Sequence, residues 1–162
     1  MAQIYHYGPS QAQDHYQAYA WYKKSAEQGM FEAEFNLGLM AHYGRGTNQD
    51  YVQAMSHYLK ASDHSIPEAD LNIAFLHHYG LGTSKDHKKS FKYFTRAAKY
   101  NIPQAQYHLG LLYQNGQSVK KDLDQANYWF EKAAEQNLDE AKLMTAALAL
   151  REPNDVELYI AN

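Results

Sequence analysis

The chain of 162 residues contains no cysteine. That excludes a disulfide framework, a thiolate zinc site and a cysteine nucleophile. No apolar run approaches the ~18 residues that a membrane-spanning helix needs. No Lys/Arg run is present and the formal net charge is -3. Nucleic-acid binding by counterion release needs a basic surface, so no nucleic-acid partner is expected. Met1 to Ser10 shows no basic segment leading into an apolar one, so no signal peptide is visible. The expectation is a cytoplasmic protein as the chain stands, or a periplasmic or secreted one if the N-terminus has been trimmed.

What is present is periodic. His6-Tyr7-Gly8, His42-Tyr43-Gly44 and His78-Tyr79-Gly80 recur 36 residues apart, and Gln114-Asn115-Gly116 keeps the glycine on schedule. The same period aligns Ala33, Ala69, Ala105 and Ala141, and also Asp14, Asp50, Asp86 and Asp122. It aligns Tyr22, Tyr58, Phe94 and Phe130, and the bases Lys24, Lys60, Arg96 and Lys132. A fixed period of this length marks a stacked repeat array.

Each period predicts two helices. In the first complete unit, helix A covers about Glu32 to Tyr43 and helix B about Asp50 to His64. Gly44 suits the left-handed residue that ends a helix. Asp50 suits the cap that accepts the free N–H groups of the first turn. Gln17, Gln53 and Gln125 stand three residues after their aspartates, a capping-box-like spacing. Pro67 and Pro103 mark where helix B cannot continue. Gly44-Arg45-Gly46 and Gly80-Leu81-Gly82 follow helices rather than strands, so they read as turns and not as phosphate cradles.

The units fall at about 1–32, 33–68, 69–104 and 105–140, with a terminal half unit at 141–152. Residues 153–162 form a tail whose Val156, Leu158, Tyr159 and Ile160 suit a short capping helix. The fold expected is all-α, a right-handed superhelical solenoid of antiparallel helix pairs with a 36-residue period.

Ala105-x3-Leu109-Gly110-x2-Tyr113-x2-Gly116, followed by Val119-x2-Asp122-x3-Ala126-x2-Trp129-Phe130-x-Lys132-Ala133-Ala134-Glu135, resembles the Sel1-like repeat. Ala18-x2-Trp21-Tyr22-x-Lys24-Ser25-Ala26-Glu27-x-Gly29 resembles its second half. The resemblance runs from Met1 to about Leu150. It implies a solenoid related to tetratricopeptide repeats, used mostly as a protein-interaction scaffold in signalling, quality control, secretion and virulence. A cysteine-rich branch linked to β-lactam binding is a poor match for a chain without cysteine. Departures from the pattern fall at Ala41, Ala74, His77 and Ser118.

Helical geometry, at 100° per residue, divides helix A into two faces. Ala33, Leu37, Met40 and Ala41 form the packing face. Phe35, Leu39, His42 and Tyr43 form the opposite one, expected to line a concave groove. The groove residues are then His6, Tyr7, Phe35, Leu39, His42, Tyr43, Leu71, Phe75, His78 and Tyr79, continued by Tyr107, Leu111 and Gln114. Rings with polar tips suit interfaces. A bracing role for one tyrosine at each A–B turn explains the same recurrence. Histidines titrate between about pH 5 and 7, so binding is expected to change there. His6, His42 and His78 stand on successive A helices, about 8–10 Å apart, too far to share one ion.

The function expected is a non-enzymatic module that binds a protein or peptide in the groove, as a monomer or weak dimer, with no cofactor, no metal and no membrane insertion. An immunity protein that neutralises a toxic effector enzyme is the alternative. A β-lactam or cell-wall hydrolase is the remote one. It rests on Ser118-Val119-Lys120-Lys121, a lone Ser-x-x-Lys with no partner motif.

Overall fold

Two kinds of helix ending, repeated on the 36-residue period, set the architecture. The computed structural model of the protein describes residues 9–150, with side chains from Gln13 onward. Its helices are α1 Pro9–Glu27, α2 Phe31–Tyr43, α3 Tyr51–Asp63, α4 Pro67–Tyr79, α5 His87–Lys99, α6 Pro103–Asn115, α7 Leu123–Glu135 and α8 Asp139–Ala149. No strand occurs among the described residues. His6 and Tyr7, and the capping tail at 153–162, lie outside them.

The A helices α2, α4 and α6 end on left-handed Gly44, Gly80 and Gly116. The B helices also end on a left-handed residue, less often a glycine. Gly29, Ser65, Asn101 and Asn137 occupy one further column, all with positive φ. In α3 the Ser65 N–H donates to Ser62 O at 3.1 Å and the Ile66 N–H to Ala61 O at 3.3 Å. That pair of bonds is the Schellman arrangement. The stop to helix B is therefore this left-handed residue. Pro67 and Pro103 sit one step later, as the first residues of α4 and α6, where a missing N–H costs nothing.

Helix B starts on aspartate. Asp50 accepts from the N–H groups of Val52 and Gln53, and Asp122 from that of Gln125. The reciprocal half of a capping box is replaced. The Asp50 N–H donates to Ala41 O at 2.8 Å, Asp86 to His77 O at 2.9 Å and Asp122 to Tyr113 O at 3.0 Å. A backbone bond thus closes each turn where a glutamine side chain was expected. Asp14, in the same column, lies inside α1 instead of capping it. The segment before it reads Gly8-Pro9-Ser10, with proline where the later turns have Arg45, Leu81 and Gln117. Pro9 opens the helix early.

The chain forms two compact units, divided within α5 after Tyr93. In the first, α1 packs on α2, α2 on α3 and α3 on α4. Its core holds Ala41, Ala54, Tyr58, Ala61, Ala69, Ile73 and Leu76, all with no exposed surface. In the second, α6 packs on α7 and α7 on α8, around Ala126, Phe130 and Leu148. Alanines at the contacts let helix axes approach, and one large ring per repeat fills the space between them. Gly38 and Gly110 make room for those rings. A Cβ at Gly38 would stand 2.6 Å from the Tyr58 ring, and one at Gly110 would stand 2.6 Å from the Phe130 ring.

Candidate functional site

The aromatic ladder of the first unit is built by the C-terminal turns of α2 and α4. Burial separates its members by depth. Ala33, Leu37, Met40 and Ala41, the packing face, are buried. Phe35 and Leu39 are half-buried and pack against the core from outside. Leu71 and Phe75 are half-buried in the same way on α4. Tyr43 and Tyr79 stand out, at 50% and 58% exposed. Both occupy the last position of an A helix, so their rings project beyond the residues beneath.

The two rings are held by neighbours. Phe75 stacks on Tyr79 with centroids 6.1 Å apart, and His78 meets Tyr79 edge-on at 4.8 Å. The His42 ring lies 4.6 Å from Tyr43, and the Arg45 guanidinium lies 5.0 Å from the Tyr43 centroid. Such contacts keep an exposed ring in one orientation and lower the entropy lost when something binds it.

The histidines do a different job. His42 is half-buried, with Nδ1 3.4 Å from the Tyr58 hydroxyl and its ring T-shaped to Tyr51 at 5.2 Å. Gln49 Nε2 donates to His42 O at 2.9 Å and to the Tyr51 hydroxyl at 3.0 Å. The bracing of this A–B turn falls to His42, Gln49 and Tyr51, and Tyr43 remains at the surface. Burial lowers the His42 pKa. Burial, then the charges of His87 and Lys85, lower that of His78. Both rings therefore stay neutral further into acid than an ordinary histidine. A pH response at this surface lies below the usual histidine range.

In the second unit, Tyr107 and Leu111 are half-buried and pack on Ala126, Phe130 and Leu148. Gln114 is half-buried. Ser118 has φ 66 and is exposed in the A–B turn. It takes the left-handed place that Gly46 and Gly82 hold in the earlier turns, which is a backbone role.

One polar column escaped the sequence reading. Glu34, Asp70 and Gln106, 36 residues apart, are all buried. Glu34 receives His57 Nδ1 at 2.6 Å and Lys60 Nζ at 3.1 Å. Ser62 Oγ donates to Asp70 at 2.6 Å. Gln106 donates to Ala98 O at 3.2 Å and accepts from Gln136 Nε2 at 2.8 Å. The signal was the column following the alanines. Its residue types differ, so it reads as variable, but each finds a partner on a B helix. Lys60 is exposed, and its ammonium covers the buried carboxylate.

Burial tends to raise the Glu34 pKa. The His57 and Lys60 hydrogen bonds and their charges outweigh it, and the net shift is downward. A depressed carboxyl contributes stability above its unfolded-state pKa and loses it as pH falls through the folded value. Glu34→Gln is expected to cost about 1–3 kcal/mol near neutral pH. The gap in melting temperature from wild type should close below the ordinary glutamate range. A gap independent of pH would show that the charge of Glu34 contributes nothing.

Among the described residues, no three histidine, aspartate or glutamate side chains are placed to hold a metal ion. No described helix is long and apolar enough to cross a membrane.

Comparison with known proteins follows the same period. The Sel1 repeat model matches residues 1–30, 31–65, 67–99 and 103–138. No curated protein matches the chain. Among solved structures, a protective antigen present in uropathogenic Escherichia coli strains, displaying an SLR fold, aligns at 37% identity and TM-score 0.74, over 75% of this chain and 26% of its own. A Sel1 repeat protein from Oxalobacter formigenes aligns at 36% identity and TM-score 0.76, over 82% and 54%. The chain thus spans about a quarter of the first and about half of the second. Cysteine-rich protein B of Helicobacter pylori shares the fold at 21% identity and TM-score 0.64, over 82% and 96%.

Proposed function

This chain belongs to the Sel1 repeat family, and we propose that it is a non-enzymatic interaction module that holds a segment of another protein against the A-helix ends of its first unit. Sel1 repeat proteins are generally protein-interaction scaffolds. The observation that carries the proposal is the pair Tyr43 and Tyr79. Equivalent residues of consecutive repeats, they are half or more exposed while the rest of the ladder is half-buried. Two at one repeat spacing offer a bound segment two anchoring rings.

The support extends beneath the rings. Phe35, Leu39, Leu71 and Phe75 supply an apolar floor, and the neutral His42 and His78 rings supply hydrogen-bonding edges. Interfaces draw most of their energy from such central aromatic anchors, with nearby contacts excluding water. His6 and Tyr7 lie outside the described residues, and Tyr107, Leu111 and Gln114 belong to the second unit, so the proposal rests on the first unit alone.

Tyr43→Ala combined with Tyr79→Ala should abolish capture of the partner that the wild-type chain retains. The melting temperature should move little, because each ring is mostly outside the core. Affinity capture alongside thermal unfolding separates the outcomes. Unfolding of the double variant would assign the rings to the fold, and undiminished capture would move the site elsewhere.

A further inference from the structure

We propose that the outer face of the first half of α5, within the first unit, is a second interaction surface, fitted to an acidic peptide segment of a partner protein. The five bases of α5, Lys88, Lys89, Lys92, Arg96 and Lys99, are a third of the fifteen in the chain. The helix contains no Asp or Glu. All four lysines are exposed. This concentration stands in a chain whose net charge is -3.

The repeat does not require these charges. Lys88 stands where the other complete repeats place Val52 and Asp124, and Lys89 where they place Gln53 and Gln125. Lys92 replaces Ser56 and Tyr128, and Lys99 replaces Asp63 and Glu135. The fold is satisfied by apolar, neutral and acidic residues at those places.

The first two charges also oppose the helix. Lys88 and Lys89 lie in its first turn, beside the positive end of the macrodipole, where cations are unfavourable. The nearest acid is the cap Asp86, which accepts from the Lys89 N–H at 3.0 Å and lies 3.9 Å from Lys89 Nζ. Lys85 and the imidazoles of His77, His78 and His87 face the same end. The His78 and His87 rings are 5.5 Å apart. Burial and then the Lys89 charge lower the His77 pKa, and His87 and Lys85 act likewise on His78. Positive charge is crowded here against the preference of both the helix and its neighbours.

Charge complementarity selects the occupant. Lys88 and Lys92 follow the i, i+4 line of one helix face, about 6 Å apart along the axis at 1.5 Å per residue. That geometry suits a single acidic peptide segment. The face carries no large exposed apolar side chain between its lysines, so it lacks what an interfacial helix inserts into a lipid surface. The face likewise carries no large exposed aromatic ring between its lysines on which a base could stack. This surface is separate from the Tyr43–Tyr79 pair and does not depend on it.

The test uses the full chain and a fluorescent peptide of alternating aspartate and glutamate, followed by anisotropy. Binding is expected, and it should weaken as salt rises past about 0.1 M, where the Debye length falls to ~10 Å. Lys88→Glu with Lys92→Glu should weaken it by about tenfold or more. The same variant should melt at a higher temperature, because a carboxylate in the first turn suits the dipole. Lys88→Gln with Lys92→Gln serves if the reversal does not fold. Tyr43→Ala with Tyr79→Ala should bind the peptide as wild type does. No binding to the wild type, or equal binding to the charge variants, overturns the proposal. So does tighter binding of oligouridylate or of phosphatidylserine vesicles.

Discussion

Tyr58→Ala is expected to cost about 3–5 kcal/mol of folding stability, the range for emptying a fully buried aromatic site. The ring has no exposed surface and lies 6.0 Å from that of Phe35. It fills the notch left by Gly38 on the facing helix, where an added Cβ would stand 2.6 Å from the ring. Tyr58→Phe should stay within about 1 kcal/mol of wild type. The hydroxyl's contact with His42 Nδ1 is long, at 3.4 Å, and the equivalent rings Phe94 and Phe130 have no hydroxyl. Burial pushes the Tyr58 phenol pKa well up, so the ring stays neutral throughout the working range.

The notch makes a sharper test. Gly38→Ala alone should destabilise by about 1–3 kcal/mol through overpacking. In the Tyr58→Ala background the new methyl enters vacated space, and the helix gains propensity from the loss of glycine. The double variant should therefore be more stable than the sum of the two changes requires. Denaturant unfolding of the four proteins measures this coupling. Simple additivity would mean that ring and notch do not meet.

Gly82→Val is the second large effect, expected at about 3 kcal/mol or more. Gly82 has φ 64, where a β-branched side chain is strongly disfavoured. A Cβ there would also lie 2.6 Å from Tyr51 C and 2.7 Å from Val52 N, at the start of α3. That neighbour is backbone and has no side chain to swing aside. Gly46 meets His15 and Tyr16 of α1 in the same manner. Gly46 and Gly82 are where these two turns rest on the preceding B helix. Arg45→Ala, in the exposed turn before Gly46, should change stability by no more than about 0.5 kcal/mol. Thermal unfolding of the two variants decides it, and equal losses would contradict this account of the turn.

Much of this was legible from residue types and period. Helix ends depend on groups within a turn of each other, so Gly44 and Asp50 announced themselves. Ala33, Leu37, Met40 and Ala41 followed from helical angle alone. The angular argument was weaker for the other face. It grouped Phe35, Leu39, His42 and Tyr43 as equals, while their depths differ, because depth depends on what α3 places beside each one. His42 comes within reach of Tyr58 across 16 residues, and no local pattern encodes that approach. The Glu34 cluster spans 23 residues to His57 and 26 to Lys60. Its column varies in residue type, so periodicity alone hid it. Asp14 shows the converse case, where a column predicted a cap and the sequence before it favoured a longer helix.

By itself the sequence determined the all-α repeat, its period, the glycine stops of its A helices, the aspartate starts of its later B helices and the face that is buried. These follow from short-range capping and from the angular spacing of apolar residues. Only the tertiary structure decided which rings of the ladder remain outside, which polar residues are sealed between helices and where a glycine is pressed against backbone. Those outcomes depend on the register of one helix against the next, which packing sets and no single helix contains.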